Sequence, residues 1–180
     1  MKIINTPIPD LLIVQPDIFE DQRGCFFESF SKEKFITAGL NVEFVQDNQS
    51  MSQKNVLRGL HFQNPPFAQG KLVRVIKGAV LDVAVDIRKN SVTYGKHFIQ
   101  ELSEKNKTMM WIPPGFAHGF LTLADETIFF YKCTNFYNKA SEQTIWWNDT
   151  YLNIQWGISS PVVSEKDKKG VLFKEFNSLF

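Results

Sequence analysis

The strongest constraint on the fold is a two-residue periodicity. From Ala79 to Arg88, the residues Ala79, Leu81, Val83, Val85 and Ile87 fall on one face of an extended chain. Val80, Asp82, Ala84, Asp86 and Arg88 fall on the other, more polar face. A helix would scatter these residues around its axis, so the segment reads as a strand. The preceding run, Lys71 to Lys77, opens after Gln69-Gly70 and closes at Lys77-Gly78, and its parity puts Lys71, Val73 and Val75 on one face. Further extended runs are Phe44–Ser50, Val56–Phe62, His97–Leu102, Thr108–Ile112, Ala117–Leu123, Thr127–Cys133 and Gln143–Trp147. Gly, Asn, Pro and Asp punctuate them. Only Ser31 to Leu40 reads as helix, with Ser31 able to cap its start and Gly39 to end it. Many short, evenly spaced strands predict an all-β sandwich or small barrel.

Length and composition set the remaining bounds. The 180 residues fit a single domain, 1–180, with a sizeable core. Aromatics make up 14% of the chain, including 17 Phe and 4 Trp, more than a monomer of this size easily hides. A subunit interface is therefore expected. The net charge of +1 lacks the basic excess of a nucleic-acid or membrane-surface binder. Cys25 and Cys133 lie far apart and in no CxxC pattern, which fits a reducing cytosol rather than a disulfide framework. The opening Met1 to Pro7 has no signal-peptide core, and no segment reaches the ~20 apolar residues of a membrane span. These features predict a soluble, cytoplasmic protein.

The three histidines divide by context. A lone histidine in a β protein is ordinarily a hydrogen-bonded structural or surface residue, and His97, after Tyr94-Gly95-Lys96, is read that way. His61 and His118 each sit where a strand meets a loop, which is where barrels place ligand sites. Lys71, at the head of an apolar strand, is either a rim residue that snorkels to water or a cation aimed at a developing anion. Tyr131, ending Ile128-Phe129-Phe130-Tyr131, is either barrel filling or a polar site group. Gln46 and Asn48 point the same way in a strand and could face a polyhydroxyl ligand, or belong to a solvated turn. Arg23 and Arg58 could match phosphate or be surface charges. The run Ser164 to Lys169 reads by itself as a solvated segment. A metal site would need two or three histidines and a carboxylate, but Gln63 stands where His61-x-His would supply the second ligand. No metal is expected.

In order along the chain stand Phe19-x-Asp21-x-Arg23-Gly24, Phe44-Val45-Gln46-Asp47-Asn48, Leu57-Arg58-Gly59-Leu60-His61-Phe62-Gln63 and Gln69-Gly70-Lys71-Leu72-Val73-Arg74-Val75. Asp82 to Arg88, Ile112-Pro113-x-Gly115-Phe116-Ala117-His118-Gly119-Phe120, Tyr131-Lys132, Trp147-Asn148-Asp149 and Ser164-x-Lys166-Asp167 follow. This ordered set closely resembles the dTDP-4-dehydrorhamnose 3,5-epimerase family, a branch of the cupin-like jelly rolls. The resemblance implies a jelly-roll β-barrel or sandwich with one or two short helices. It also implies a cofactor-free and metal-free isomerase acting on C3 and C5 of dTDP-4-keto-6-deoxy-D-glucose, on the route to dTDP-L-rhamnose.

By this resemblance His61 is the base, Asp167 its carboxylate partner, Lys71 the cation near the C4 oxygen, and Tyr131 the acid on the opposite face. Asn48 and His118 match sugar or phosphate contacts. Arg23, Glu28, Gln46, Asp47, Arg58, Glu142 and Lys166 would line the site for the nucleotide, and Phe26 and Tyr137 would stack on its base. The family's dimers exchange N-terminal strands, so Arg23 and Glu28 are expected to serve the neighbouring subunit. Arg58 and His61 lie three apart, which places them on opposite faces of an ideal strand unless a bulge forms at Gly59. Asp82 is expected beside Lys71 or His118. The rival readings are a single-centre epimerase on a related nucleotide sugar, a non-catalytic sugar-nucleotide-binding cupin, and a metal-dependent cupin oxygenase.

Overall fold

The computed structural model describes residues 1–180. Four short strands come first: Lys2–Asn5 (β1), Leu12–Gln15 (β2), Ile18–Asp21 (β3) and Gly24–Phe27 (β4). Helix Lys32–Thr37 (α1) follows, with Ser31 as its N-cap accepting from the Lys34 amide and Gly39 ending it at φ 86°. Then come Gln46–Ser52 (β5), Val56–Gln63 (β6), Lys71–Lys77 (β7), Ala79–Asp86 (β8), His97–Ser103 (β9), Met109–Ile112 (β10), Phe116–Thr122 (β11) and Thr127–Cys133 (β12). Glu142–Thr144 (β13) and Val162–Val163 (β14) complete the strands, and a single 3-10 turn spans Asp167–Lys169.

Two six-stranded sheets form a cupin-like jelly roll. The first runs β1-β2-β10-β7-β12-β5 and the second β13-β6-β11-β8-β9, with β14 added parallel to β6. The β3–β4 hairpin stands apart as a two-stranded ribbon. No helix is long and apolar enough to cross a membrane.

Strand alternation sorts the apolar side chains into three cores. Val73 and Val75 of β7, Met110 and Ile112 of β10, Phe129 of β12, Val80 and Ala84 of β8, and Phe116 and Phe120 of β11 fill the space between the sheets. The intervening residues of β7 and β10, Leu72, Met109 and Trp111, pack outward under Phe35 of α1. On the second sheet Leu57, Phe62, Val83, Val85 and Leu121 pack outward against Ile145, Leu152, Ile154, Trp156 and Phe173. Fully burying each such side chain contributes roughly 1.5–3 kcal/mol.

The long C-terminal segment therefore roofs a sheet face that would otherwise be wet. This fixes the sense of β8. Its more polar face, with Asp82, is the interior of the roll, and its apolar face is covered by the tail. The strand also stops at Asp86, two residues short of Arg88, because Arg88 folds back to hold the buried Asp86 carboxylate at 2.8–2.9 Å. Both cysteines are free, Cys25 exposed and Cys133 buried.

Candidate active site

A polar cleft opens between the two sheets. One lobe, about 290 Å³, is lined by Gln46, Asn48, His61, Gln63, Gln69, Lys71, Tyr131, Tyr137 and Glu142, with Phe62. A second lobe of about 250 Å³ shares Asn48, His61, Lys71 and Tyr131 and adds Arg58, His118, Ser50 and Phe120. His61 comes from β6 of one sheet, while Lys71 and Tyr131 come from β7 and β12 of the other. The cleft thus has two chemically different walls.

Arg58 and His61 reach the same cleft because β6 bulges. His61 pairs with His118 and Arg58 with Phe120, so Gly59 and Leu60 together oppose the single residue Gly119. The extra residue restores the inward parity of both side chains. Gly59 sits at φ 142°, and a Cβ there would meet the Gly119 Cα at 2.5 Å, so only glycine fits.

His61 Nε2 lies 2.6 Å from Asp167 Oδ1. A carboxylate only accepts, so Nε2 carries the proton and Nδ1 is left to take one. Asp167 is buried at the start of the 3-10 turn, where its backbone amide donates to Ser164 Oγ and its Oδ2 accepts from the Gly59 amide. Burial opposes its ionisation. Hydrogen bonds from His61, Gly59 and Ser164 outweigh that cost and hold the carboxyl below its ordinary range. The charged tail run is solvated except at Asp167, which alone turns inward: parallel pairing of β14 with β6 delivers it to the base.

On the opposite wall Lys71 is half-buried, with its Nζ 5.8 Å from the centre of the Tyr131 ring. Burial pushes its pKa down, with Cys133, Asp82 and Glu142 opposing. Burial also pushes the Tyr131 hydroxyl up to about 12, so it stays protonated and able to donate.

His118 is buried, and its Nε2 lies 3.0 Å from both oxygens of Asp82. Gln46 Nε2 donates to Asn48 Oδ1 at 3.1 Å, and the Gln46 carbonyl oxygen accepts from the Tyr137 amide. Tyr137 donates to Glu142 Oε2 at 2.9 Å, and Glu142 also pairs with Lys166 at the rim.

Other expected site residues lie elsewhere. Asp47 has the opposite parity to Gln46 and Asn48 and forms an ion pair with Lys132 outside the cleft. Arg23, 86% exposed in its side chain, binds Asp21, Phe26 is 71% exposed on the same hairpin, and Glu28 pairs with Lys34. None of these three lines the cleft of its own chain. His97 opens β9, away from the cleft.

Gln63 is a clamp. It donates to the carbonyls of Phe67 and Phe136 and accepts from the Asn138 amide, tying two loops at the cleft mouth. Gln69 and Ser50 were not singled out in the sequence. Parity could have found both, since Gln69 is two residues before Lys71 and Ser50 two after Asn48. Nowhere do three or more His, Cys, Asp or Glu side chains converge as a metal site would need.

Known proteins share this fold. Residues 5–175 match the model of the family described as dTDP-4-dehydrorhamnose 3,5-epimerase. A dTDP-4-dehydrorhamnose 3,5-epimerase of Shigella flexneri is 55% identical over 174 residues, which is 96% of each chain. The crystal structure of such an epimerase from Elizabethkingia anophelis matches with a TM-score of 0.94 at 49% identity, covering 99% of each chain. An epimerase from Legionella pneumophila, solved in complex with dTDP-4-keto-L-rhamnose, matches with a TM-score of 0.93 at 47% identity, over 98% of this chain and 94% of that one. Fold, ordered motifs and sequence identity agree: this chain belongs to the dTDP-4-dehydrorhamnose 3,5-epimerase family.

Proposed function

We propose that the protein inverts C3 and C5 of dTDP-4-keto-6-deoxy-D-glucose, a step toward dTDP-L-rhamnose. One observation carries the reading. His61, held by Asp167, comes from one sheet, and Tyr131 with Lys71 comes from the other, so a sugar ring between them has a base on one face and an acid on the opposite one.

The C4 ketone acidifies the protons at C3 and C5, because the electron pair left behind moves onto oxygen as an enolate. His61 takes the proton, and Asp167 stabilises the imidazolium that results. Lys71 stabilises the enolate oxygen; losing one such donor commonly costs ~2.7–4 kcal/mol. Tyr131 then protonates the carbon from the other face, the oxygen regains its carbonyl, and solvent takes the proton from His61 and returns one to the tyrosyl oxygen. With the base alone, the same face would be reprotonated and configuration retained.

Asn48 and His118 are assigned to the sugar or the adjoining phosphate. Gln46, Arg58, Glu142, Lys166 and Tyr137 are assigned to the nucleotide diphosphate. The protein acts as a cytoplasmic homodimer with exchanged N-terminal strands, in which Arg23, Phe26 and Glu28 complete the partner's site. The exposure of Arg23 and Phe26 on a hairpin that leaves its own cleft supports that role.

Proton NMR of the product formed from dTDP-4-keto-6-deoxyglucose tests the activity. Inverted couplings at both C3 and C5 are expected. Inversion at one centre identifies a single-centre epimerase, and binding without turnover identifies a sugar-nucleotide-binding module.

A further inference from the structure

We propose that Asp82 is a positioning residue of this site: it fixes the tautomer of His118 and is the buried countercharge of Lys71. The proposal rests on the epimerase reading only for its kinetic readout.

Asp82 lies in the middle of β8, on the inward face it shares with Val80 and Ala84, and is 0% exposed. Its register partner on β11 is Phe120, which makes His118 its diagonal neighbour on the same face. Both carboxylate oxygens sit on the one His118 nitrogen, Nε2. The ring is held in place by Phe129, stacked at 24° with centroids 6.0 Å apart, and by Phe120 on the same side of the roll. An imidazole held so cannot turn its nitrogens over. The proton stays on Nε2, and Nδ1 keeps a lone pair that accepts a hydrogen bond. Burial holds the His118 pKa below its ordinary value, while Asp82 opposes and Lys71 and His61 add to the lowering. The ring is therefore neutral at physiological pH.

The countercharge role follows from placement: Lys71 and His118 line the same lobe of the cleft, and Asp82 is bonded to His118 on the inner face of the roll. Cys133, the cross-strand partner of Lys71 on β12, has its thiol pushed up by burial and carries no charge at neutral pH. Tyr131 is likewise neutral, pushed up to about 12. Glu142 is ionised but already held at the rim by Lys166 and Tyr137. Asp82, behind His118 in the lobe that Lys71 lines, is thus the nearby carboxylate that no Lys or Arg pairs with.

Two measurements on the full chain test this. In 15N-histidine NMR of the ligand-free protein, His118 should appear neutral with its proton on Nε2; an Nδ1–H tautomer, or a charged ring at neutral pH, overturns the proposal. This readout needs no turnover, so it stands apart from the epimerase reading and survives if the variant fails to fold. In Asp82→Asn, Lys71 loses its countercharge and gives up its proton at lower pH. The alkaline limb of kcat should move down by about one pH unit or more, with kcat affected more than KM. A folded Asp82→Asn enzyme with an unchanged pH profile overturns the countercharge role.

Discussion

Asp167 shows how a residue's role depends on a fold its neighbours in sequence do not reveal. In Ser164 to Lys169 it is one charge among several, and periodicity gives no hint of burial. The family motif pointed to its pairing with His61, and parallel pairing of β14 with β6 accounts for it physically. Asp167→Asn should keep the fold and lower kcat by on the order of 10²-fold or more, as His61 loses the partner that sets its tautomer. The same carboxylate bears on stability. Its folded pKa is depressed, so its contribution is complete above the ordinary carboxylate pKa of ~3.9 and is lost as pH falls through the folded value. Denaturant titrations from neutral to acidic pH should show a shallower acid loss in Asp167→Asn than in the parent. Lys71 was more legible than Asp167. Parity placed it on one face with Val73 and Val75, and the structure turns that face inward.

Elements were legible where alternation was long. Lys71–Lys77 and Thr127–Cys133 match their strands at both ends, and Ser31 and Gly39 bound the helix as expected. The four N-terminal strands were not foreseen. Each has only four residues, too few for a period to emerge, and β2 is held by pairing with β10, almost a hundred residues away in sequence. The bulge in β6 was legible as a conflict. Arg58 and His61 could share a site only if Gly59 broke the alternation, and it does. Gly59→Ala should therefore cost roughly 1–3 kcal/mol from overpacking against Gly119. Thermal unfolding checks the loss. Activity should fall further than stability alone explains, because any shift of the bulge moves Arg58 or His61 out of the cleft.

At the scale of the whole molecule, the sense of the roll was the least legible feature. An amphipathic strand normally turns its apolar face to the core, but β8 carries Asp82 inside because the tail from Ile145 to Phe173 covers its other face. Only the tertiary path of that tail decides the matter, and the tail has no strong period of its own. The exchanged dimer predicts a mixing result. Arg23→Ala and His61→Ala chains should each be impaired alone, yet refolding them together should restore activity, since a mixed dimer regains one intact site. No recovery would place Arg23 in its own chain's site.

The central claim is that a base and an acid face each other across the sugar. Turnover of dTDP-4-keto-6-deoxyglucose in D₂O tests it most directly. The wild-type protein should place solvent deuterium at both C3 and C5 with inversion, His61→Ala should place none, and Tyr131→Phe should exchange without inverting. Undiminished inversion in Tyr131→Phe, or exchange in His61→Ala equal to the wild type, would contradict it.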